Sequence, residues 1–163
     1  MIFTEFIIFL VSLRLGELAV SKRNERWLLQ HGGIEFGKKH YPVIVALHTA
    51  FICSLVIEYA VQRPESYVPS LLLLYGALVI SKSWVILTLG HFWTTRIYRI
   101  PRSQLVATGP YKYMKHPNYL IVVLEIAIIP LAFHLYLTAL LFSVLNAFML
   151  RVRIREENLA LLS

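Results

Sequence analysis

The fold is decided by the stretch Gly109-Pro110-Tyr111-Lys112-Tyr113-Met114-Lys115-His116-Pro117-Asn118-Tyr119, which stands directly before an apolar run ending at Leu150. As one helix, that run would measure about 50 Å, which is well over a bilayer core of about 30 Å. Two compact helices fit it better. Their turn is expected near Pro130 to Tyr136, because proline removes a helix hydrogen bond. We therefore predict a tight helical hairpin that returns the chain to the side on which it began.

A second polar segment follows the run and reads Arg151-Val152-Arg153-Ile154-Arg155-Glu156-Glu157-Asn158. If the hairpin forms, this tail and the stretch before the run lie on the same side of the membrane. On helical spacing, Asn146, Arg153 and Glu157 form one stripe of the last helix. Such a stripe is typical of a binding site. An ordinary basic anchor, with Glu156 and Glu157 as helical partners of its arginines, explains the same residues equally well.

The composition is that of an integral membrane protein of the all-α class. Apolar residues make up 58% of the 163 residues, and only 15% are charged, against roughly 25% in a typical globular protein. The net charge of +7 lies in clusters between apolar runs, which indicates membrane topology and not a nucleic-acid partner. The single Cys53 and the spacing of the six His predict neither a disulfide nor a metal site.

Three further spans precede the hairpin and make about five in all. The first covers residues 2–20, where Arg14 and Glu17 are spaced to form an ion pair. Residues 21–41 are predicted to form a loop, with a short interfacial helix around Trp27. The second span covers 43–60. The third covers 68–89 and contains Lys82, which we expect to extend its ammonium group towards the membrane surface.

The distribution of basic residues predicts the orientation of the chain. The 21–41 loop, the 90–117 loop and the tail hold five, five and three of the 16 Lys and Arg residues. With five spans all three segments lie on one side, which the positive-inside rule makes cytoplasmic, with the N-terminus outside. We expect a single membrane domain over 1–163. It consists of a three-helix part, 1–89, and a part with the loop, hairpin and tail, 90–163.

The motif Gly109-Pro110-Tyr111-x-Tyr113-x-Lys115-His116-Pro117-Asn118-Tyr119, followed after the hairpin by Arg153-x-x-Glu156-Glu157-x-x-Ala160-Leu161, resembles the C-terminal signature of the isoprenylcysteine carboxyl methyltransferase family. The resemblance covers roughly residues 90–163. Lys115 stands where the family usually has Arg, which keeps the charge but loses a bidentate fork. The chain looks most like small bacterial members that are thought to methylate alkylpyrones made by a neighbouring polyketide synthase.

This resemblance implies a site for S-adenosylmethionine. Arg153 would orient the acceptor or the cofactor carboxylate, and His116 would position the reacting groups, with Glu156 as a third residue at the reacting centre. The residues expected to bind the cofactor are Tyr111, His116, Pro117, Tyr119, Asn146, Glu156 and Glu157. Those expected to bind the acceptor at a lipid-side entrance are Phe92, Trp93, Arg96 and Arg99.

The predicted function is transfer of a methyl group to a carboxylate or acidic hydroxyl of a lipophilic acceptor at the cytoplasmic face of a bacterial cell membrane. Membrane lipid and the acceptor are the expected partners, and a polyketide synthase is a possible supplier of the acceptor. Two alternatives stay open. Membrane reductases that use NADPH carry a similar His-Pro-Asn-Tyr segment, and the chain also fits a small membrane subunit without enzymatic activity.

Overall fold

A computed structural model of the protein describes residues 1–161, so Leu162 and Ser163 of the predicted 1–163 domain lie outside it. The described residues form a helical bundle of the predicted class. Its elements in chain order are α1 (Ile2–Gln30), β1 (Ile34–Phe36), α2 (Tyr41–Gln62), α3 (Pro69–Leu89), β2 (Ile97–Arg99), α4 (Pro117–Ala132) and α5 (Tyr136–Leu161). Short 3-10 turns at Gly90–Phe92 and Gly109–Lys112 interrupt the long connection between α3 and α4.

The chain divides into two compact units. The first unit contains Met1–Tyr41, Leu89–Val106 and the described tail from Val152 onward. The second unit contains Pro42–Thr88 and Ala107–Arg151.

Among residues 1–161, three helices are long and apolar enough to cross a membrane: α2, α3 with its following turn, and α5. Helix α4 is apolar but shorter, at 16 residues. Helix α1 has 29 residues and carries Glu5, Arg14 and Glu17 in its apolar part. Arg14 Nη1 lies 2.8 Å from Glu17 Oε2, so the ion pair predicted from their spacing is confirmed.

The prediction of a loop from residue 21 to residue 41 is wrong over its first ten residues, because α1 continues to Gln30. The buried face of this extension is partly polar, because it combines Ser21 and Asn24 with the apolar Leu28. The side-chain amide of Asn24 donates hydrogen bonds to the carbonyl oxygens of Gly90, at 3.0 Å, and Trp93, at 2.7 Å. These contacts within the first unit satisfy the amide nitrogen of Asn24, whereas its buried Oδ1 finds no donor among residues 1–161.

A two-stranded antiparallel ribbon was not predicted. Strand β1 pairs with β2 in the register Ile34 to Arg99, Glu35 to Tyr98 and Phe36 to Ile97. Each strand has only three residues, which is too short to carry a recognisable alternation of apolar and polar residues. The ribbon therefore depends on tertiary contacts in the first unit.

The predicted hairpin is confirmed in the second unit. Helix α4 ends at Ala132 and α5 begins at Tyr136, with the turn at residues 133–135. The buried carboxylate of Glu58 on α2 accepts hydrogen bonds from the backbone amides of Leu137, at 3.0 Å, and Thr138, at 2.7 Å. These amides belong to the first turn of α5, where the helix itself provides no acceptors. Glu58 thus caps α5 from another helix, with its negative charge at the positive end of the helix dipole.

Lys82 does not reach the membrane surface, and that prediction is wrong. Its side chain is buried, with 5% of the residue exposed, and its Nζ lies 3.3 Å from Oε2 of Glu125, which is 2% exposed. A buried cation is stable in an apolar helix only with an anionic partner. The pair therefore links α3 to α4 within the second unit.

We expect Glu58→Ala to lower the free energy of unfolding by about 2 kcal/mol, because two backbone amides in the first turn of α5, one of them buried, lose their acceptor. Equilibrium unfolding in mixed detergent micelles measures this change. Glu65→Ala, at an exposed glutamate in the nearby α2–α3 turn, is the matched control and should have little effect. Equal losses in the two variants would contradict the capping role of Glu58.

We expect Lys82→Met to destabilise the protein by about 3 to 5 kcal/mol, because it leaves the Glu125 carboxylate buried without its cation. The double variant Lys82→Met with Glu125→Leu should recover most of that loss, since no buried charge remains. The same unfolding experiment compares the two. A double variant as unstable as the sum of its single changes would rule out the ion pair as the cause.

Candidate functional site

The tail, from Val152 onward, is bonded to the rest of the first unit through Arg153. Its guanidinium Nη2 donates a hydrogen bond to the backbone carbonyl of Thr95, with 2.7 Å between nitrogen and oxygen. The backbone amide of Thr95 in turn donates to Oγ of Ser21, at 2.9 Å. Arg153 is half-buried, whereas the neighbouring Arg151 and Arg155 are exposed. Arg153 thus differs from a simple surface anchor.

Glu156 lies against a glycine of the segment that follows β1. A methyl group placed on Gly37 would be 3.5 Å from Cβ of Glu156 and 3.6 Å from Cδ1 of Ile97. Gly37 also has a positive φ of 62°, a backbone conformation that favours glycine. The segment therefore passes close to the Glu156 side chain, which is half-buried.

Arg96, predicted to bind the acceptor, is held by groups of the first unit. Its Nη1 lies 2.8 Å from Oε1 of Glu35, its Nε lies 3.9 Å from Oε2 of Glu25, and its guanidinium carbon lies 4.3 Å from the ring centre of Tyr41. Burial tends to lower the pKa of Arg96, but the hydrogen bond and charge of Glu35, helped by Glu25 and Tyr41, outweigh it and raise the pKa. Arg96 therefore remains charged and contacts Glu35, Glu25 and Tyr41 within this unit.

Tyr98 stands opposite Glu35 in the ribbon. Burial raises the pKa of Tyr98, and the negative charges of Glu35 and Glu25 raise it further against the opposing effect of Arg96. The phenol is therefore neutral at physiological pH and remains a hydrogen-bond donor.

The other three residues predicted at the entrance have different surroundings. Phe92 is exposed and meets the ring of Trp27 edge-on, with 5.8 Å between ring centres. Trp93 is buried, with 4% exposed. Arg99 donates from Nη1 to Oγ of Ser103 at 2.7 Å and from Nη2 to the Ser103 carbonyl.

The second unit contains the other predicted residues. His116 and Tyr119 stack with their ring centres 5.3 Å apart and an angle of 22° between ring planes. Pro117 and Tyr119 are buried at the start of α4. Between them, Asn118 has a buried Oδ1 that finds no hydrogen-bond donor among residues 1–161. A buried acceptor of this kind is a place where a ligand or water is expected.

The start of the motif packs against α3. Gly109 has a φ of 55°, and a methyl group on it would lie 2.7 Å from Oγ1 of Thr88 and 3.4 Å from Nε1 of Trp84. The backbone of the motif therefore approaches α3 closely enough to exclude any side chain at this position. Tyr111, in the 3-10 turn that follows, is half-buried.

The predicted site residues thus fall into two groups, each within its own unit. Those of the first unit are Phe92, Trp93, Arg96, Arg99, Arg153, Glu156 and Glu157, and those of the second are Tyr111, His116, Pro117, Tyr119 and the buried Asn146. The proximity of His116 to Glu157 remains a prediction. Sequence reasoning missed Thr95, whose carbonyl accepts a hydrogen bond from Arg153, and Ser21, whose hydroxyl accepts one from the amide of Thr95. The spacing of Ser21, Asn24 and Leu28 on one helix face was the signal that could have found Ser21.

Apolar helices that carry this polar, aromatic motif and a charged tail define an integral membrane protein. A family model described as "Isoprenylcysteine carboxyl methyltransferase (ICMT) family" matches residues 71–163, which is more than half of the chain. The protein belongs to this family. Membership implies a membrane methyltransferase, and the predicted resemblance is confirmed.

Two relatives match nearly the whole chain. An uncharacterized protein of Bacillus subtilis (strain 168), YpbQ, is 42% identical over 157 residues, which cover 95% of this chain and 94% of the relative. An uncharacterized protein of Haemophilus influenzae (strain Rd) is 28% identical, covering 93% of this chain and 90% of the relative. No solved structure matches the chain at a significant level.

We expect Gly109→Ala to reduce stability by about 1 to 3 kcal/mol, because alanine is strained at positive φ and its methyl group would meet Thr88. Thermal unfolding in detergent measures the change. Gly76→Ala is the matched control. Gly76 lies in α3, and a methyl group placed on it would have no atom of residues 1–161 within 4 Å apart from its chain neighbours and the backbone of its own helix, so alanine there should leave stability unchanged or raise it. A Gly109→Ala variant as stable as Gly76→Ala would contradict the close approach.

Proposed function

We propose that the protein is an S-adenosylmethionine-dependent methyltransferase that methylates an oxygen of a lipophilic acceptor at the cytoplasmic face of the membrane. The observation that carries the proposal is the ordered setting of the tail. Arg153 is bonded to Thr95, and Glu156 lies against Gly37, whereas Arg151 and Arg155 are exposed. A purely electrostatic anchor needs none of these specific contacts. A site that orients small charged groups requires them.

The chemistry of the residues fits this cofactor. S-adenosylmethionine presents an ammonium, a carboxylate, ribose hydroxyls and an adenine ring. The tail offers carboxylates for the cation or hydroxyls and a guanidinium for the carboxylate. The motif offers the stacked rings of His116 and Tyr119 and the unsatisfied Oδ1 of Asn118, a buried acceptor suited to an N–H or O–H group.

In this proposal one set of residues holds the cofactor, and Arg153 and His116 orient the reacting groups. The residues that hold the cofactor are Tyr111, His116, Pro117, Tyr119, Asn146, Glu156 and Glu157. Arg153 orients the acceptor or the cofactor carboxylate from its fixed position on Thr95. When bound, the cofactor supplies a methyl group on a positively charged sulfur. The residues of the site align the acceptor oxygen with that carbon and exclude water.

The acceptor is proposed to be lipophilic, such as an isoprenylcysteine or an alkylpyrone. Its oxygen, as a carboxylate or acidic hydroxyl, is ionised near neutral pH and needs little help from a base, so His116 acts in positioning. An acceptor with a long apolar tail would approach within the bilayer, while the polar cofactor arrives from the cytoplasm. A polyketide synthase is a possible supplier if the acceptor is an alkylpyrone.

The test uses purified protein in lipid nanodiscs. We expect S-adenosylmethionine to bind by calorimetry and S-adenosylhomocysteine to form when a prenylcysteine or alkylpyrone is added. Arg153→Ala should reduce turnover by about 10- to 100-fold, because a charged hydrogen-bonding group is lost. Arg155→Ala, two residues away and exposed, is the matched control and should retain most activity.

The same preparation separates the alternatives. No binding at millimolar S-adenosylmethionine would remove the proposed function, and a thermal shift with NADPH in its place would favour a reductase. Equal activity of Arg153→Ala and Arg155→Ala would favour the alternative in which the tail is only a basic membrane anchor.

A further inference from the structure

Ser21 is a fully buried hydroxyl with 0% exposure, at the start of the polar C-terminal part of α1. Its contacts are with Glu25 on its own helix and with Thr95 from a distant part of the first unit. Ser12 on the same helix is different. Its hydroxyl is exposed and donates to the carbonyl of Ile8, one helical turn earlier.

The protons of this cluster can be assigned from its geometry. Ser21 has one hydroxyl hydrogen, which it donates to Oε1 of Glu25 at 2.8 Å. Its oxygen is therefore the acceptor in both contacts with Thr95, from the backbone amide at 2.9 Å and from Oγ1 at 2.9 Å. Oγ1 of Thr95, having donated, accepts from the hydroxyl of Tyr41 at 3.2 Å. The hydrogen bonds run in one direction, from Tyr41 through Thr95 and Ser21 to the carboxylate of Glu25.

Thr95 is consequently held at its amide and its hydroxyl, and its remaining polar group, the carbonyl, accepts from Arg153. The direction of that carbonyl determines where the Arg153 guanidinium lies. A mutation of Ser21 would leave a half-buried amide and hydroxyl without their acceptor, which costs more than a lost surface hydrogen bond.

We propose that Ser21 is a positioning residue for Arg153 and acts through Thr95. The role of Arg153 at the reacting groups rests on the proposed function, but its attachment to Thr95 does not. Ser21 lies outside the sequence region matched by the family model, residues 71–163, so this part of α1 supports a residue of the matched tail.

The first test is independent of any cofactor. Amide hydrogen exchange of the full chain in nanodiscs follows the tail peptide over residues 152–161. Ser21→Ala should increase its exchange rate by about tenfold, because the carbonyl that binds Arg153 is no longer fixed. Ser12→Ala is the matched control and should leave the tail unchanged. Equal tail exchange in the two variants would overturn the proposal.

Thr95 provides a second pair of variants if Ser21→Ala does not fold. Thr95→Val keeps the shape and the backbone amide but removes Oγ1, and we expect a smaller rise in tail exchange. Thr95→Ser keeps a hydroxyl at this position and should keep the tail amides as protected from exchange as in the wild-type protein. A valine variant that behaves like the serine variant would overturn the role of this chain of hydrogen bonds.

The second test asks whether Ser21 acts through Arg153. In the wild-type background, Ser21→Ala should weaken S-adenosylmethionine binding or lower turnover by about tenfold. In an Arg153→Ala background it should have no further effect, as expected for coupled residues. The same tenfold loss in both backgrounds would overturn the proposal. If the wild-type protein binds no cofactor, the proposed function fails, and the exchange experiment alone decides the role of Ser21.

Discussion

A buried polar group in an apolar helix is shielded from water and is costly unless it finds a partner, either on its own helix or on another part of the protein. This constraint accounts for the main contacts of the second unit. Lys82 is stable because Glu125 faces it from α4, and the free amides at the start of α5 are stable because Glu58 reaches them from α2. Each contact joins two helices through a polar group that lies within a largely apolar segment. In a membrane such contacts specify which helices pair, because lipid solvates apolar surfaces as well as protein does.

The same requirement acts in the first unit on groups near the end of the apolar region. Asn24 satisfies the carbonyls of Gly90 and Trp93, and Ser21 satisfies the amide of Thr95. The polar end of α1 therefore has a defined role, which is to fix the segment that leads from α3 into β2. Arg153 then binds a backbone carbonyl whose position has already been set. In this way the half-buried Arg153 is bonded to the backbone of the first unit, whereas Arg151 and Arg155 of the same tail are exposed.

The family match and the local contacts give different information about the protein. The family match concerns the region that carries the motif and the tail, and it gives the class of reaction. The contacts distinguish residues within that region. Arg153 and Glu156 have specific neighbours in the first unit, and the stacked rings of His116 and Tyr119 stand beside the unsatisfied oxygen of Asn118 in the second. These distinctions make single variants informative, since Arg155 offers the charge of Arg153 without its contacts.

The sequence alone predicted the helical membrane class, a hairpin within residues 118–150 with its turn near Pro130 to Tyr136, and the Arg14–Glu17 pair. Each of these depends on local hydrophobicity, on chain length or on helical spacing, which are properties that short segments carry by themselves. The motif likewise indicated the family. Only the tertiary structure decided that α1 continues to Gln30, that residues 34–36 and 97–99 pair, and that Lys82 meets Glu125. Those features depend on residues more than 40 positions apart, and a polar side chain gives no sign in the sequence of which distant partner will satisfy it.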